Sequence, residues 1–553
     1  MKKQSRIILA VVIGTVLTAL SYYVMLPPLN VFSTGFWTYL VLVLCFYGLP
    51  LGVVSGISVN GKGNGASPKG KLKVNKIFLI VLAVPVAVLV VGNIISSTFF
   101  NALRYASVIQ VEQADFAEDM PEADVVTNIS LMDTASASIL GNRELGALSN
   151  VVSQYNLSED YNQINYRGTP KKVANLEYVD IFRWFNNSSS GVPGYVMVDP
   201  VNNDADYIQF TTPITYVDSA YFGQDLMRKL RFSYPTKIFS SVNFEVDDEG
   251  NPYFIVSCVK PRVGLFGAMD VDEVIIFDPC DGSSEIYPVD DSPAWIDNVY
   301  DGDLACQKYN WYGTLSGGFW NSVIGNRDCK MTTDGYGYIV RGDDVWYYTG
   351  VTSVTSDESN IGFIITNART GEYKYYPVIG AEEYSAMGAA QGEVQEKRYT
   401  ASFPSLINVE GEATYIMVLK DENGLVKLYA LVNVENYSIV ATGDSQATAK
   451  RAYIQELANR GVIQEEEQPA PETKTAHVTV QAVRLATVDG ETVVYITATD
   501  GVVYRGSLAA DESLILVTAG MTLEVEYSET AHERIRAMTA WSEVQPTVPD
   551  TNT

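Results

Sequence analysis

The spacing of apolar and polar positions divides the chain into three stretches. The first hundred residues carry three apolar runs without a charged side chain: Ile7–Met25, then 36–57 and 77–100, of nineteen, twenty-two and twenty-four residues. Each is long enough to cross a hydrocarbon core of about 30 Å as a helix. Beyond residue 100 the period shortens to alternating runs bounded by Asp, Asn and Gly, which predict antiparallel hairpins. Two hairpins follow one figure. Residues 274–288 read VIIFDPCDGSSEIYP and residues 363–377 read FIITNARTGEYKYYP. A turn-former opens each turn (Asp278, Asn367), a glycine follows four residues later (Gly282, Gly371), and Tyr-Pro closes both (Tyr287-Pro288, Tyr376-Pro377). The Asp or Asn side chain caps the turn backbone, and glycine takes the left-handed position without a Cβ clash.

Further strands are expected at 195–198, 207–214, 239–246, 253–259, 345–351, 415–419 and 426–434. Helical spacing marks four segments. Asp133 caps a helix carrying Ile139, Leu140, Leu145, Leu148 and Val151. Shorter helices are expected at 219–230 and 382–395. The clearest has Asp444 or Ser445 as its cap, Ala449, Ala452, Tyr453 and Leu457 as its inner stripe, and Gly461 as its stop. Residues 178–185 fit strand or helix. The acidic run FAEDMPEAD within 101–127 reads as a stalk, and QEEEQPAPETK at 464–474 as a linker with no apolar residue larger than Ala. Five closely spaced strands follow, as in a small barrel of the OB or SH3-like type.

The predicted fold class is therefore α+β. Three N-terminal transmembrane helices lead into a large body of repeated antiparallel hairpin and helix modules, followed by a small all-β barrel. The expected boundaries are an anchor at 1–100, a stalk at 101–130, a first α+β module at 131–260 and repeated modules at 261–463. The linker at 464–474, the barrel at 475–545 and a disordered tail at 546–553 complete the chain.

Charge fixes an orientation. The first hundred residues hold eight basic and no acidic side chains; Lys2, Lys3 and Arg6 precede the first run, and Lys62, Lys69, Lys71, Lys73 and Lys76 fill the loop before the third. The loop between the first two runs is uncharged. The positive-inside rule places the N-terminus and the basic loop inside, and residues 101–553 on the extracytoplasmic face of a cell membrane. The runs contain no ionisable side chain of the kind that ion pathways use, which favours an anchor over a transporter. The remaining residues carry 30 basic and 65 acidic side chains, a net of −35. Such a body disfavours nucleic acid as a partner.

Candidate chemistry is sparse. The only histidines, His477 and His532, lie in the barrel region, so the body has no Ser-His-Asp, Cys-His or histidine–metal constellation. Neither a Walker-type nor a dinucleotide-binding glycine loop occurs, and no acidic loop matches a calcium-binding pattern. The sequence thus designates no catalytic residue, metal ligand or cofactor. Paired acids at Asp247-Asp248, Asp290-Asp291 and Asp301-Gly-Asp303 read as solvated turns, and Arg341-Gly-Asp343 as a turn between strands. Cys258, Cys280, Cys306 and Cys329 fit either disulfides or buried thiols; Cys45 lies in an apolar run. The one candidate binding surface is the aromatic stretch between the two hairpins, with Trp311, Tyr312, Phe319 and Trp320, against which stands the ordinary use of aromatics as core.

The two hairpins, with 428–440 as a looser third, resemble PepSY-like, cystatin-type modules of bacterial extracytoplasmic and membrane-anchored proteins. The whole arrangement is similar to multi-span membrane proteins of Gram-positive bacteria. The resemblance implies a non-catalytic role in binding or restraining an envelope protein; it carries over no functional residue, because the shared positions are turn-makers. The expected function is a membrane-anchored, extracytoplasmic interaction or scaffold protein, with the bilayer and an envelope protein as partners. A carboxylate-dependent hydrolase acting on glycan or peptide, and a membrane-bound sensor, are the alternatives.

Overall fold

The computed structural model describes residues 3–56, 76–122, 131–463, 474–488, 491–529 and 535–543. The basic loop, the linker and the C-terminal tail expected from the sequence lie outside the described residues. The chain forms two units, Met1–Tyr453 and Ile454–Thr553.

The first unit opens with three apolar helices, α1 (Lys3–Met25), α2 (Thr34–Gly56) and α3 (Lys76–Ser96). Among the described residues, two stretches are long and apolar enough to cross a membrane, Ile7–Met25 and Phe78–Ser96. The expected third is not among them. The second run does form a helix, but its described apolar part, Thr34–Gly48, falls short of a spanning length. A short helix, α4 (Thr98–Ala106), continues directly from α3.

The body repeats one plan four times: a helix, then an antiparallel meander. Helices Thr134–Ala147, Leu226–Ser233, Gly302–Leu315 and Glu383–Glu393 each precede a sheet, and the four sheets have five, four, seven and five strands. The expected boundary after residue 260 falls inside the strand Pro252–Val263 of the second sheet. Successive modules share cores. Tyr195, Val196 and Leu230 pack with Val256, Ile275 and Phe277, and Tyr348, Phe363 and Tyr376 pack with Tyr415, Met417 and Val432.

The two matching hairpins close identically. The Gly282 and Gly371 N–H groups each donate to the turn-opening carbonyl, of Asp278 and Asn367, at 2.9 Å. The side chains of Asp278 and Asn367 accept from the N–H two residues on, at 2.7 and 2.8 Å. Both glycines have positive φ, +78° and +72°, where a Cβ is costly. The Asp421 turn repeats the device with Gly424. Arg341-Gly-Asp343 is a tight turn between paired strands, as expected.

The expected stalk is not one. Strand Val111–Gln113 pairs in parallel with Tyr373–Tyr376 at the edge of the third sheet. Phe116 and Met120 are buried in the core shared by the third and fourth modules. Asp119 is held by Arg341 at 2.8 Å and Lys374 at 3.2 Å, so the acidic run staples the body. Residues 178–185 resolve into both readings: a strand ends at Tyr178, and Asp180 caps the helix Ile181–Asn187.

The second unit holds a closed five-stranded barrel, Lys474–Val488, Glu491–Ala498, Val503–Ser507, Thr522–Glu529 and Ile535–Glu543. The long first strand pairs with both the second and the fourth, and the third pairs in parallel with the fifth. Val494, Ile496, Tyr504, Leu523 and Val525 fill its interior.

Candidate functional site

The aromatic stretch begins in a helix the sequence reading did not find. Asp301 caps Gly302–Leu315 by accepting from the Leu304 N–H at 2.7 Å. Gly317 and Gly318 interrupt the chain, Phe319 and Trp320 follow, and a single π-helical turn, Asn321–Gly325, reverses it. The Asn321 side chain locks that turn by donating to the Arg327 carbonyl, 2.8 Å, and accepting from the Arg327 N–H, 3.1 Å.

The four candidate residues do not form one platform. Trp311 stands edge-on to Tyr105 of α4 with centroids 5.1 Å apart, and Phe319 stands edge-on to Phe99 at 5.0 Å. Trp320 is 5.9 Å from Phe99 and 64% exposed. Tyr312 turns the other way, beside Tyr309 and the third sheet. Trp311 and Phe319 therefore pack the body onto the segment that follows α3, and Trp320 is the member of the set left facing outward.

Two sets of hydrogen bonds fasten the body to the apolar helices. Ser96 Oγ, in the last turn of α3, accepts from the Leu265 N–H at 2.8 Å and the Phe266 N–H at 2.9 Å. These residues form the tip of the hairpin joining Pro252–Val263 to Gly267–Phe277. The Tyr105 hydroxyl donates to the Ser96 carbonyl at 2.7 Å. A Cβ at Gly267 would lie 2.6 Å from that carbonyl oxygen, so the approach requires glycine. After α1, the Leu29 N–H donates to the Pro235 carbonyl at 2.7 Å and Asn30 Nδ2 to the Thr236 carbonyl at 2.8 Å. Arg228 lies over the Tyr23 ring, 4.2 Å from its centroid.

A cleft of about 730 Å³ runs along Asp204–Ile214, the terminal strand of the first sheet. Tyr166, Tyr195, Phe210 and Tyr253 line it, and Glu249, Asp278 and Asp281 give it acid. Tyr253 and Asp278 also border a second cleft of about 390 Å³, with Tyr287 and Trp295. The repeated turn thus stands between two clefts, a position that its sequence did not disclose.

Several ionisable groups are buried. Glu245 Oε1 accepts from the Asn298 N–H at 2.8 Å and from Asn298 Nδ2 at 2.9 Å, and Oε2 accepts from the Asp297 N–H at 3.0 Å. Burial pushes the Glu245 carboxyl up against those bonds. Asp297 is held well above the usual carboxylate range, first by burial and then by the Glu245 charge. Burial brings the Lys172 ammonium down to about 8. All five cysteines are free thiols, and burial pushes Cys258 and Cys306 up to about 12. Among the described residues, no three His, Cys, Asp or Glu side chains gather as metal ligands would.

No protein-family model matches the chain, and no curated protein matches it.

Proposed function

We propose that the chain is a membrane-anchored interaction or scaffold protein of the bacterial cell envelope, non-catalytic, with its body on the extracytoplasmic face. The reading counts the second apolar helix, Thr34–Gly56, as a further span beside the two long ones, with the N-terminus and basic loop inside and residues 101–553 outside. The observation that carries it is the cleft along Asp204–Ile214. A terminal strand can accept an extended segment as an added strand. Glu249, Asp278 and Asp281 favour a segment bearing basic groups, and the half-buried Tyr166 and Tyr253 offer it flat apolar surface. The hydrogen bonds at Ser96, Leu29 and Asn30 support the same reading, because they hold this cleft in a fixed attitude to the apolar helices. The helix-then-meander plan agrees with the PepSY-like resemblance. The barrel's strand order, with its third and fifth strands parallel, is that of an OB-type fold, here read as a packing or adaptor module.

A photo-activatable residue placed at Gln209, which lines the cleft, tests the proposal in intact cells. It is expected to cross-link a discrete envelope polypeptide, and Glu249→Lys is expected to abolish the product. The same residue placed at the exposed turn position Glu422 is expected to capture nothing. Protease added outside the cells is expected to digest the body. Full protection from protease, or equal capture at both positions, overturns the reading.

One observation favours a hydrolase as the second reading. Glu245 and Asp297 are adjacent acids with raised proton affinity, a pattern common in acid–base sites. Both Glu245 oxygens, however, are engaged by donors of the 297–298 segment, and neither acid lines the 730 Å³ cleft.

A further inference from the structure

We propose that two groups of exposed apolar side chains on the body form a collar seated in the interfacial layer of the bilayer. This rests on the reading that Ile7–Met25 and Phe78–Ser96 cross a membrane.

The first group comprises Phe99, Phe100 and Leu103 on α4 with Trp320, Val323 and Ile324 on the π-turn segment. Phe100 is 65% exposed and Ile324 73%. The second lies on Ile181–Asn187, on the segment before Leu226–Ser233 and on that helix itself: Phe182, Phe185, Phe222 and Phe232. Phe182 is 71% exposed and Phe185 74%. Apolar side chains scattered singly over a surface need no explanation, but clusters of large ones mark a contact.

Their position says what the contact is. The first group starts three residues after Ser96, where the apolar stretch of α3 ends. The Phe99 ring ties it to Phe319 and Trp320. The second is tied to the end of α1. Phe232 is 6.0 Å from Tyr22 and 6.4 Å from Tyr23, between ring centroids. Arg228 bridges the same junction, donating to the Tyr23 carbonyl at 3.3 Å and the Phe222 carbonyl at 2.6 Å. Two segments far apart in sequence thus each bring bare aromatics to the end of an apolar helix. A contact with a protein partner would not require that coincidence. Continuity with the spans does.

The chemistry fits the headgroup boundary. Trp320, Trp184 and Tyr221 supply amphipathic rings, which concentrate at that depth. Exposed Arg104 and Arg327 adjoin the first group, and Arg183, half-buried and paired with Asp180 at 2.9 Å, the second, although the body as a whole is strongly acidic. Long cationic side chains beside inserted rings reach lipid phosphate. Helix α4 makes the same point by itself. Ala102, Tyr105 and Ala106 bury one face against Val263, Ala268 and Leu315, and Phe100 and Leu103 leave a second apolar face bare. A short helix apolar on two faces has two apolar neighbours; the body is one, and lipid is the other.

The test uses the full-length protein in nanodiscs, with Trp320 read as the difference in fluorescence between wild type and Trp320→Phe. In discs of lipid brominated near the glycerol end of its chains, the Trp320 contribution is expected to lose roughly half its intensity while resisting aqueous iodide. Phe185→Trp in the Trp320→Phe background is expected to behave alike. Quenching by iodide without quenching by bromolipid overturns the collar. Protection from both quenchers, in discs holding two chains or a co-purified protein, assigns the patch to a protein contact and also overturns it. Alkaline carbonate separates the underlying reading. A chain released from membranes by carbonate refutes the spans, whereas a retained chain with iodide-quenched Trp320 refutes the collar alone.

Discussion

Lys172 offers a quantitative test of the body's packing. It lies in the strand Thr169–Tyr178, 2% exposed, with its ammonium 5.0 Å from the centre of the Tyr338 ring. Among the described residues, no carboxylate reaches it at ion-pair distance; the Asp133 charge acts on it from further away. Burial lowers its proton affinity from 10.5 to about 8. A lysine depressed by that interval weakens the fold by about 3 kcal/mol at neutral pH, at about 1.4 kcal/mol per unit. The ring face returns about 1 to 2 kcal/mol. Lys172→Met keeps most of the length of the side chain, one atom shorter, and removes the charge, so it is expected to stabilise the protein at pH 7 by on the order of 1 to 2 kcal/mol. In a unit this large, that is a rise of a few degrees in melting temperature. The sign with pH follows from linkage. Between about 8 and 10.5 the unfolded chain holds the lysine proton and the folded chain does not, so the wild type gains stability as pH rises through that window. The advantage of Lys172→Met is expected to shrink over the same window. The assay is unfolding of the full-length protein in detergent micelles, followed by intrinsic fluorescence at pH 7, 8 and 9.5. A variant less stable than wild type at pH 7, or an advantage that does not shrink toward pH 9.5, would refute the argument and imply a compensated ammonium.

Asp297→Asn replaces an acid held neutral by burial with a neutral amide. A raised carboxyl contributes stability at low pH that is lost as pH rises, at about 1.4 kcal/mol per unit while the folded chain keeps the proton. The variant is therefore expected to flatten the fall in stability as pH rises above the ordinary carboxylate value of about 4; an unchanged slope would mean that Asp297 is ionised. Ser96→Ala leaves the Leu265 and Phe266 N–H groups without their acceptor, at a cost of about 2 kcal/mol. Protease is expected to cut the 264–267 hairpin tip faster in nanodiscs, and equal rates would show that the junction is held elsewhere. Asp119→Asn removes a carboxylate that Arg341 first, and then Tyr376 and Lys374, hold well below the usual range. The loss is expected to be on the order of 2 kcal/mol at neutral pH, part of it screened because the side chain is 25% exposed. A lowered carboxyl stabilises above its unfolded value and loses that contribution as pH falls. The difference between variant and wild type should therefore vanish in acid, and a difference constant down to pH 2 would exclude the ion pair as its source.

Local chemistry was legible and long-range pairing was not. Asp278 with Gly282 and Asn367 with Gly371 specify their turns within six residues, so hairpin geometry could be read directly. Asp133 was recognised as a cap by the same logic, and the barrel strands by alternation. Asp301 performs the same act as Asp133, but the neighbouring Gly302 and Asp303 made it look like a turn, and the helix behind it was missed. The acidic run at 116–124 read as a stalk because the cations that hold Asp119, Arg341 and Lys374, come from the third sheet, more than two hundred residues away. Lys172 stands in a Lys-Lys pair within the strand Thr169–Tyr178, which the sequence did not mark, and nothing in that pair says which lysine faces the interior. The aromatic stretch stood out in the sequence, but sequence could not tell Trp311 and Phe319, which pack against Tyr105 and Phe99 of α4, from Trp320, which meets Phe99 at 5.9 Å and still stays 64% exposed.

The repeated plan separates scaffold from the parts with another task. In its simplest form, helix then meander, a module needs only short turns between strands, as in Leu226–Pro288. The second module runs from Leu226–Ser233 through four strands in this way. Two other modules carry additions. In the first, the helix Ile181–Asn187 is inserted between Thr169–Tyr178 and Val192–Asp199, strands that pair with each other and that a turn could have joined. In the third, Phe319, Trp320 and the π-turn stand between the helix and its first strand. Neither insertion is needed to complete a sheet. Both expose large apolar side chains, at a cost of about 25 cal/mol for each Å² left in water; the second packs on Phe99 just after α3, and the first packs Trp184 on Phe222, 5.6 Å between centroids, beside the Arg228 contact with Tyr23. Insertions that contribute nothing to the sheets, and that would be penalised in water, are accounted for only by a surrounding that is not water, which is why the collar is assigned to these two segments and the cleft to the unadorned strand edge.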